Sequence, residues 1–231
     1  MERIFTCASC ERVVCGTEHH MDGPENCPTR TMTDTFEGVR QEYEKPEVAE
    51  FARQASIQEF ECYLRLPEGM TPRNPRVEEV VQFARKMGYQ RLGVAFCAGL
   101  RNEARILDEI LTRRGFEVVS VCCQVGGMPK ETIGITEEQK IGGPGKWETM
   151  CNPIAQAKLL NEACTEFNVV VGLCVGHDSL FFKYAAAPTT VLIAKDRVFG
   201  HNPAAGLYLS KSYYRKLRRR DSADENSGQA A

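Results

Sequence analysis

Residues 169–178 read VVVGLCVGHD. Three β-branched residues with no polar alternation, closed by a glycine, describe a strand buried on both faces. We read it over 168–174. The strand end carries chemistry: a thiol at Cys174, an imidazole at His177 and a carboxylate at Asp178. The fold and the function both turn on whether other segments bring similar groups to the same strand end.

Working outward, 91–97 (RLGVAFC) reads as a short strand, 102–114 as a helix stopped by Gly115, and 117–123 (EVVSVCC) as a second strand. Strand, helix and strand this close together imply a right-handed crossover and a parallel pair. Cys151, Asn152 and Pro153 open the next helix, with cysteine or asparagine at the cap and proline just inside. We read that helix through Phe167, with Cys164 buried on it. A short helical turn is expected over 178–186 and a fourth strand over 189–194, ending in Lys195, Asp196 and Arg197. The fold class is therefore α/β, a doubly wound, Rossmann-like parallel sheet flanked by helices. A strand order of 2-1-3-4 puts its switch point between the first and third strands.

Ahead of this core, 46–66 reads as a helix with Val48, Phe51, Ala52, Ala55, Phe60 and Leu64 facing inward and Cys62 in the core. Residues 67–75 read as a proline-rich loop. Residues 76–87 read as a helix lined by Val77, Val80, Val81 and Ala84. The stretch 124–150 is a long, polar, glycine-rich connection of the kind that is often functional or mobile. Its GGPGK lacks the spacing of a phosphate-cradling loop, and Trp147 is expected to pack. The domain reading is a Cys-rich metal-binding knuckle at 1–40, a helical segment at 41–90 packed on the main domain, an α/β domain at 91–210, and a disordered tail at 211–231.

Composition narrows the function. The 29 Lys and Arg nearly balance the 31 Asp and Glu. That gives no global electrostatic case for nucleic acid or a membrane surface, and the basic stretch after Lys211 is read as solvated. No apolar run approaches ~18 residues and the amino terminus has no apolar leader, so a cytoplasmic protein is expected. Eleven cysteines in such a chain point to metal or redox chemistry rather than disulfides.

Two thiol sites emerge. Cys7, Cys10, Cys15 and Cys27 have the spacing C-x2-C-x4-C-x11-C, which suits a tetrahedral metal. Zinc ranks first and an iron–sulfur cluster second. His19 and His20 are read as solvated loop residues, able to replace one thiolate. The second site gathers at the carboxyl edge of the sheet: Cys97, one of Cys122 and Cys123, Cys151, Cys174, His177, Lys195 and His201. These groups suit zinc or an iron–sulfur cluster. A catalytic zinc would use His177, Asp178 or His201 as base. Without metal, Cys174 or Cys151 would serve as nucleophile or redox thiol with His177 beside it. Lys195 and Arg197 favour a small anionic partner. The first reading is a metal-binding protein whose second site carries redox or hydrolytic chemistry, and the alternative is a non-catalytic metal sensor or carrier; metal identity, catalysis, substrate and oligomeric state are left open.

Five strings carry a resemblance: FCAGL at 96–100, GFEVVSVCC at 115–123, CNPIAQA at 151–157, GLCVGHDSLF at 172–181 and KDRVFGHNPAAGLY at 195–208. With the amino-terminal CASC, Cys15 and the Cys27–Pro28 pair, they resemble a cysteine-rich bacterial and archaeal family known as domain of unknown function 1847. The resemblance implies metal binding, zinc first, and names no reaction. Its cysteine motifs fall on Cys7, Cys10, Cys15, Cys27, Cys97, Cys123, Cys151 and Cys174.

Overall fold

In the computed structural model, which describes residues 5–219, a hairpin stands where the sequence predicts the end of a helix. Helices α1 (Pro28–Thr31), α2 (Thr33–Tyr43) and α3 (Pro46–Glu61) precede antiparallel strands β1 (Tyr63–Leu66) and β2 (Gly69–Pro72). Leu66 pairs with Gly69, so Pro67 and Glu68 alone make the turn. Gly69 has φ +135°, a region that side chains rarely enter. Leu64 is thus a strand residue, and the expected inner face of α3 is only partly built: Val48, Phe51 and Ala52 are half-buried, but Ala55 is exposed, Phe60 is 65% exposed and Gln58 is the buried residue. Cys62 is buried as expected, its thiol 3.0 Å from the Gln58 carbonyl.

The chain divides into two compact units, Met1–Arg73 and Asn74–Ala231. The second contains α4 (Arg76–Lys86), β3 (Arg91–Phe96), α5 (Arg101–Arg113), β4 (Glu117–Cys122), α6 (Pro153–Glu162), β5 (Phe167–Val171), α7 (His177–Tyr184), β6 (Thr189–Ile193) and α8 (Ala204–Tyr208). All four strands of its sheet are parallel, in the order β4-β3-β5-β6. This is the 2-1-3-4 arrangement predicted from the sequence. The chain steps one way from β3 to β4 and the other way from β4 to β5. Right-handed crossovers then put α5 and α6 on opposite faces, leaving a crevice between β3 and β5 at their carboxyl ends.

Burial agrees with the reading of the strands. Every residue of β5 is buried, and Val80, Val81, Phe83 and Ala84 of α4, Leu107 and Leu111 of α5, Leu160 of α6 and Phe181 of α7 complete the core. The fit is tightest at Gly93. A Cβ built there would lie 2.1 Å from Asn168 Oδ1 and 2.9 Å from Leu160 Cδ1. Asn168 is itself fully buried in β5, and its Oδ1 accepts a hydrogen bond from the Thr165 hydroxyl.

Several boundaries differ from expectation. Strand β5 stops at Val171 because Gly172 turns to φ +68°, so Cys174 stands three residues past the strand. Helix α6 ends at Glu162, and Cys164 lies beyond it at φ +52°, exposed rather than buried. Residues 124–150 hold only short 3-10 turns and one bridge, Pro129 to Thr149. The loop is organised by a charge: the Lys140 side chain is 3% exposed and is held by Glu131 and Glu137. Trp147 is 72% exposed, so the packing expected of it is not made. Of the tail read as disordered, Arg215–Arg218 forms a 3-10 turn and 220–231 lie outside the described residues. Among the described residues no helix is long and apolar enough to cross a membrane.

Gly93→Ala is expected to lower the stability of the chain by about 1–3 kcal/mol through overpacking against Asn168. Urea unfolding monitored by circular dichroism measures it, and an unchanged midpoint would mean that Asn168 does not sit against β3.

Candidate functional site: a thiol cluster at the switch point

The hydrogen-bond ladder of the sheet runs one residue past the strands, and this positions two thiols. The Cys97 amide donates to the Val171 carbonyl at 3.1 Å, and the Cys123 amide donates to the Phe96 carbonyl at 2.8 Å. Cys97 is therefore fastened to β5 and Cys123 to β3. Gln156, fully buried on α6, donates from Nε2 to the carbonyls of Val121 and Phe96 at 2.7 and 3.2 Å. It clamps the roots of both thiols. The third thiol enters from the opposite end of the long loop: the Asn152 amide donates to the Cys123 carbonyl at 2.6 Å. That bond brings Cys151 next to Cys123. Asn152, not Cys151, is the helix cap, its Oδ1 accepting from the Ala155 amide at 3.0 Å.

The result is a contiguous line of sulfurs. Cys123 and Cys151 share a hydrogen bond across 3.9 Å, and the Ala98 amide donates to Cys123 Sγ at 3.3 Å. Cys97 lies close enough to Cys123 to act on its protonation. Cys123 is the member of the Cys122–Cys123 pair that faces this site. Cys122 lines a separate surface cleft with Val119, Val121 and Leu159. Cys174 lies close enough for its charge to act on Cys151. The loop after β6 supplies two cations: Lys195 Nζ is 2.6 Å from Cys97 Sγ, and Arg197 Nη2 is 3.2 Å from Cys174 Sγ.

Crowding sets the protonation of these thiols. Cys97 is pushed up to about 12, first by Cys123 beside it and then by burial, against the pull of Lys195. Cys123 is pushed up to about 11, first by Cys151. Cys151 is held below the ordinary thiol value, first by its hydrogen bond with Cys123. Burial lowers His177, which favours its neutral form, and its Nδ1 is buried without a partner.

The remaining predicted residues hold the loops. Asp178 Oδ1 accepts from the Gly176 and Ser179 amides at 3.0 and 2.8 Å, so that oxygen is engaged at the start of α7. His201, at φ +67°, accepts from the Asp196 amide at 3.2 Å through Nδ1 and shapes the loop that carries Lys195 and Arg197. Gln156 has no counterpart in the sequence reading. Its signal was a polar residue on an otherwise apolar helix face.

In the amino-terminal unit, Cys7, Cys10, Cys15 and Cys27 line one cleft of about 400 Å³. Cys27 is buried, and the Thr29 hydroxyl with the Thr29 and Arg30 amides holds its thiol below the ordinary value. Gly23 leaves it room: a Cβ there would lie 2.9 Å from Cys27 Sγ. His19 and His20 are exposed. Among the described residues no set of three or more His, Cys, Asp and Glu side chains is drawn in to the spacing of a finished metal cage. All eleven cysteines are free thiols.

In the metal-free chain, Cys151 is expected to alkylate faster than Cys97 and Cys123 at about pH 8, since the thiolate is the reactive form. Peptide mapping after timed iodoacetamide treatment reads this out, and equal rates would contradict the ordering. The same shifts give the sign for stability. Cys97 keeps its proton in the folded chain to a higher pH than in the unfolded one, so its contribution is present below about 9 and is lost as pH rises toward about 12.

Comparison with known proteins adds a family. Residues 27–192 match the model of a family described as protein of unknown function, DUF1847. An uncharacterised protein of Methanocaldococcus jannaschii is 40% identical over 211 residues, covering 91% of this chain and 97% of the relative. The family match takes in Cys27, Cys97, Cys123, Cys151, Cys174 and His177, and it leaves Cys7, Cys10, Cys15 and Lys195 outside. On that match and that relative together, the chain belongs to the DUF1847 family of proteins of unknown function.

Proposed function

We propose that this chain is a thiolate metal-binding protein whose main centre is Cys97, Cys123, Cys151 and Cys174, with zinc as its preferred metal. One observation carries the reading. A tetrahedral ion with metal–sulfur bonds of about 2.3 Å needs its sulfurs about 3.8 Å apart. Cys123 and Cys151 stand 3.9 Å apart with no bond between them. Cys97 and Cys174 are close enough to that pair for their charges to act on Cys151, and they continue the set. Gathering thiols this closely is unfavourable once they ionise, as the raised values at Cys97 and Cys123 reflect. A thiophilic cation removes that cost by replacing the protons.

The donor set supports a soft or borderline metal, since sulfur dominates and the acids nearby are engaged elsewhere. His177, with Nδ1 buried and unpartnered, is a donor in reserve. An iron–sulfur cluster is the second reading. A cluster spans its cysteines more widely than one ion does, which suits an arrangement with one pair at single-ion spacing. The amino-terminal quartet fits a second, structural zinc: its four thiols share one cleft, and the absence of a side chain at Gly23 leaves room for Cys27 Sγ. Both centres need reduced thiols, which supports a reducing compartment such as the cytoplasm. Binding is thus the assigned role, with Cys151 and Cys174 as ligands rather than nucleophiles.

Purification without oxygen, then elemental analysis and an absorption spectrum, tests this. With the quartet disabled by Cys7→Ser and Cys10→Ser, one metal is expected to remain. It should be lost when Cys123→Ser and Cys151→Ser are added, with the circular dichroism spectrum retained. Metal content indifferent to Cys123 and Cys151 would overturn the proposal. A colourless zinc protein favours the first reading and a brown one the second.

A further inference from the structure

Lys195 and Arg197 are placed on the thiols in a way that surface cations are not. They sit two residues apart in the loop that leaves β6, and each reaches a different thiol: Cys97 at 2.6 Å and Cys174 at 3.2 Å. The register of β5 against β6 shifts at this end, with Val170 opposite Val191 and Val171 opposite Ile193. That leaves Leu192 as an extra residue. Such a bulge bends the strand and re-aims the loop beyond it.

The acid between the two cations is occupied. Asp196 Oδ1 accepts from the Val198 and Phe199 amides, both at 2.8 Å. Its amide donates to His201 Nδ1, and its carbonyl accepts from the His201 amide at 2.8 Å. The loop is thereby locked with the carboxylate turned into it. Among the described residues no carboxylate forms an ion pair with Lys195 or Arg197. Gly99 completes the approach: a Cβ there would already touch Lys195 Nζ at 3.5 Å and Cys97 Sγ at 4.0 Å.

Resting on the reading of Cys97, Cys123, Cys151 and Cys174 as ligands, we infer that Lys195 and Arg197 are dedicated counter-charges that set the charge of what the centre holds: a dianionic four-thiolate assembly. Four thiolates around a divalent ion carry two net negative charges. Two cations cancel them. A monovalent ion would leave three negative charges and a trivalent ion one, and neither matches the pair. A cluster core of charge two plus gives the same sum, so the matching is shared by zinc and by an oxidised iron–sulfur centre. Charge held at a partly buried site is costly unless it is compensated nearby. The cations therefore act through the sulfurs, as partners that tune the centre rather than as ligands.

The test uses the full chain with Cys7→Ser and Cys10→Ser, so that zinc at the sheet edge is read alone. Zinc affinity is measured by competition with a chromophoric chelator in three proteins: this parent, Lys195→Met with Arg197→Met, and the charge-conserving Lys195→Arg with Arg197→Lys. Loss of such outer partners weakens metal binding by about 10–100-fold. We expect that loss in the methionine pair and recovery to within a few-fold in the swapped pair, with circular dichroism unchanged in both. A methionine pair that binds zinc as tightly as the parent would overturn this inference while leaving the metal reading intact. Equal weakening in both pairs would mean packing rather than charge, and would overturn it too. A parent that binds no zinc would overturn both. Repeating the assay on the reconstituted iron–sulfur form distinguishes the two sources of the dianion.

Discussion

The extension of the sheet ladder beyond its own strands is the constraint on which the candidate site depends. Strands β3 and β4 end at Phe96 and Cys122, but their amide-to-carbonyl pattern continues through Cys97 and Cys123. A backbone held in register cannot choose where its side chains point. Two thiols are thus fixed relative to one another by main-chain bonds before any side-chain interaction acts. Gln156 adds a clamp from the helix layer, binding the carbonyls of Phe96 and Val121. A net hydrogen bond contributes only about 1 kcal/mol, but Gln156 ties together the two carbonyls at the roots of both thiols. Removing the Gln156 amide would therefore disturb the site through its strands.

Much of the fold was legible in the sequence. Alternating apolar runs and helical stretches after Arg91 admit few topologies once crossovers must be right-handed. The order of the four strands was taken from the common doubly wound arrangement, and the sheet has it. The phase of each strand was not legible. Alternation says that Cys122 and Cys123 face opposite ways, but not which faces the crevice. The Cys123 amide bond to Phe96 decides it. The errors cluster where local signals compete. Leu64 continues a helical spacing from Phe60, yet Tyr63–Leu66 also reads as a strand before a Pro–Glu–Gly turn. Cys164 occupies a left-handed position that glycine usually fills after a helix. That made the helix look longer than it is and the thiol look buried.

The site was legible as a list of residue types and not as a set of pairings. That strand ends would deliver thiols to one edge is a consequence of the fold. That Lys195 would take Cys97 while Arg197 took Cys174 depends on a strand bulge and on Asp196 turning into its own loop. Neither leaves a mark in composition or spacing. The long connection 124–150 shows the same limit. Its length marked it as special, but the buried ammonium of Lys140 with Glu131 and Glu137 took the role that an apolar core plays elsewhere.

The central claim is that the thiols at the carboxyl edge of the sheet form one metal centre. X-ray absorption at the zinc edge, on anaerobic protein carrying Cys7→Ser and Cys10→Ser, tests it most directly. The predicted result is a first shell made of sulfur at about 2.3 Å, with sulfur scatterers lost on Cys123→Ser. A shell of nitrogen and oxygen alone, or one unaffected by Cys123→Ser, would contradict it.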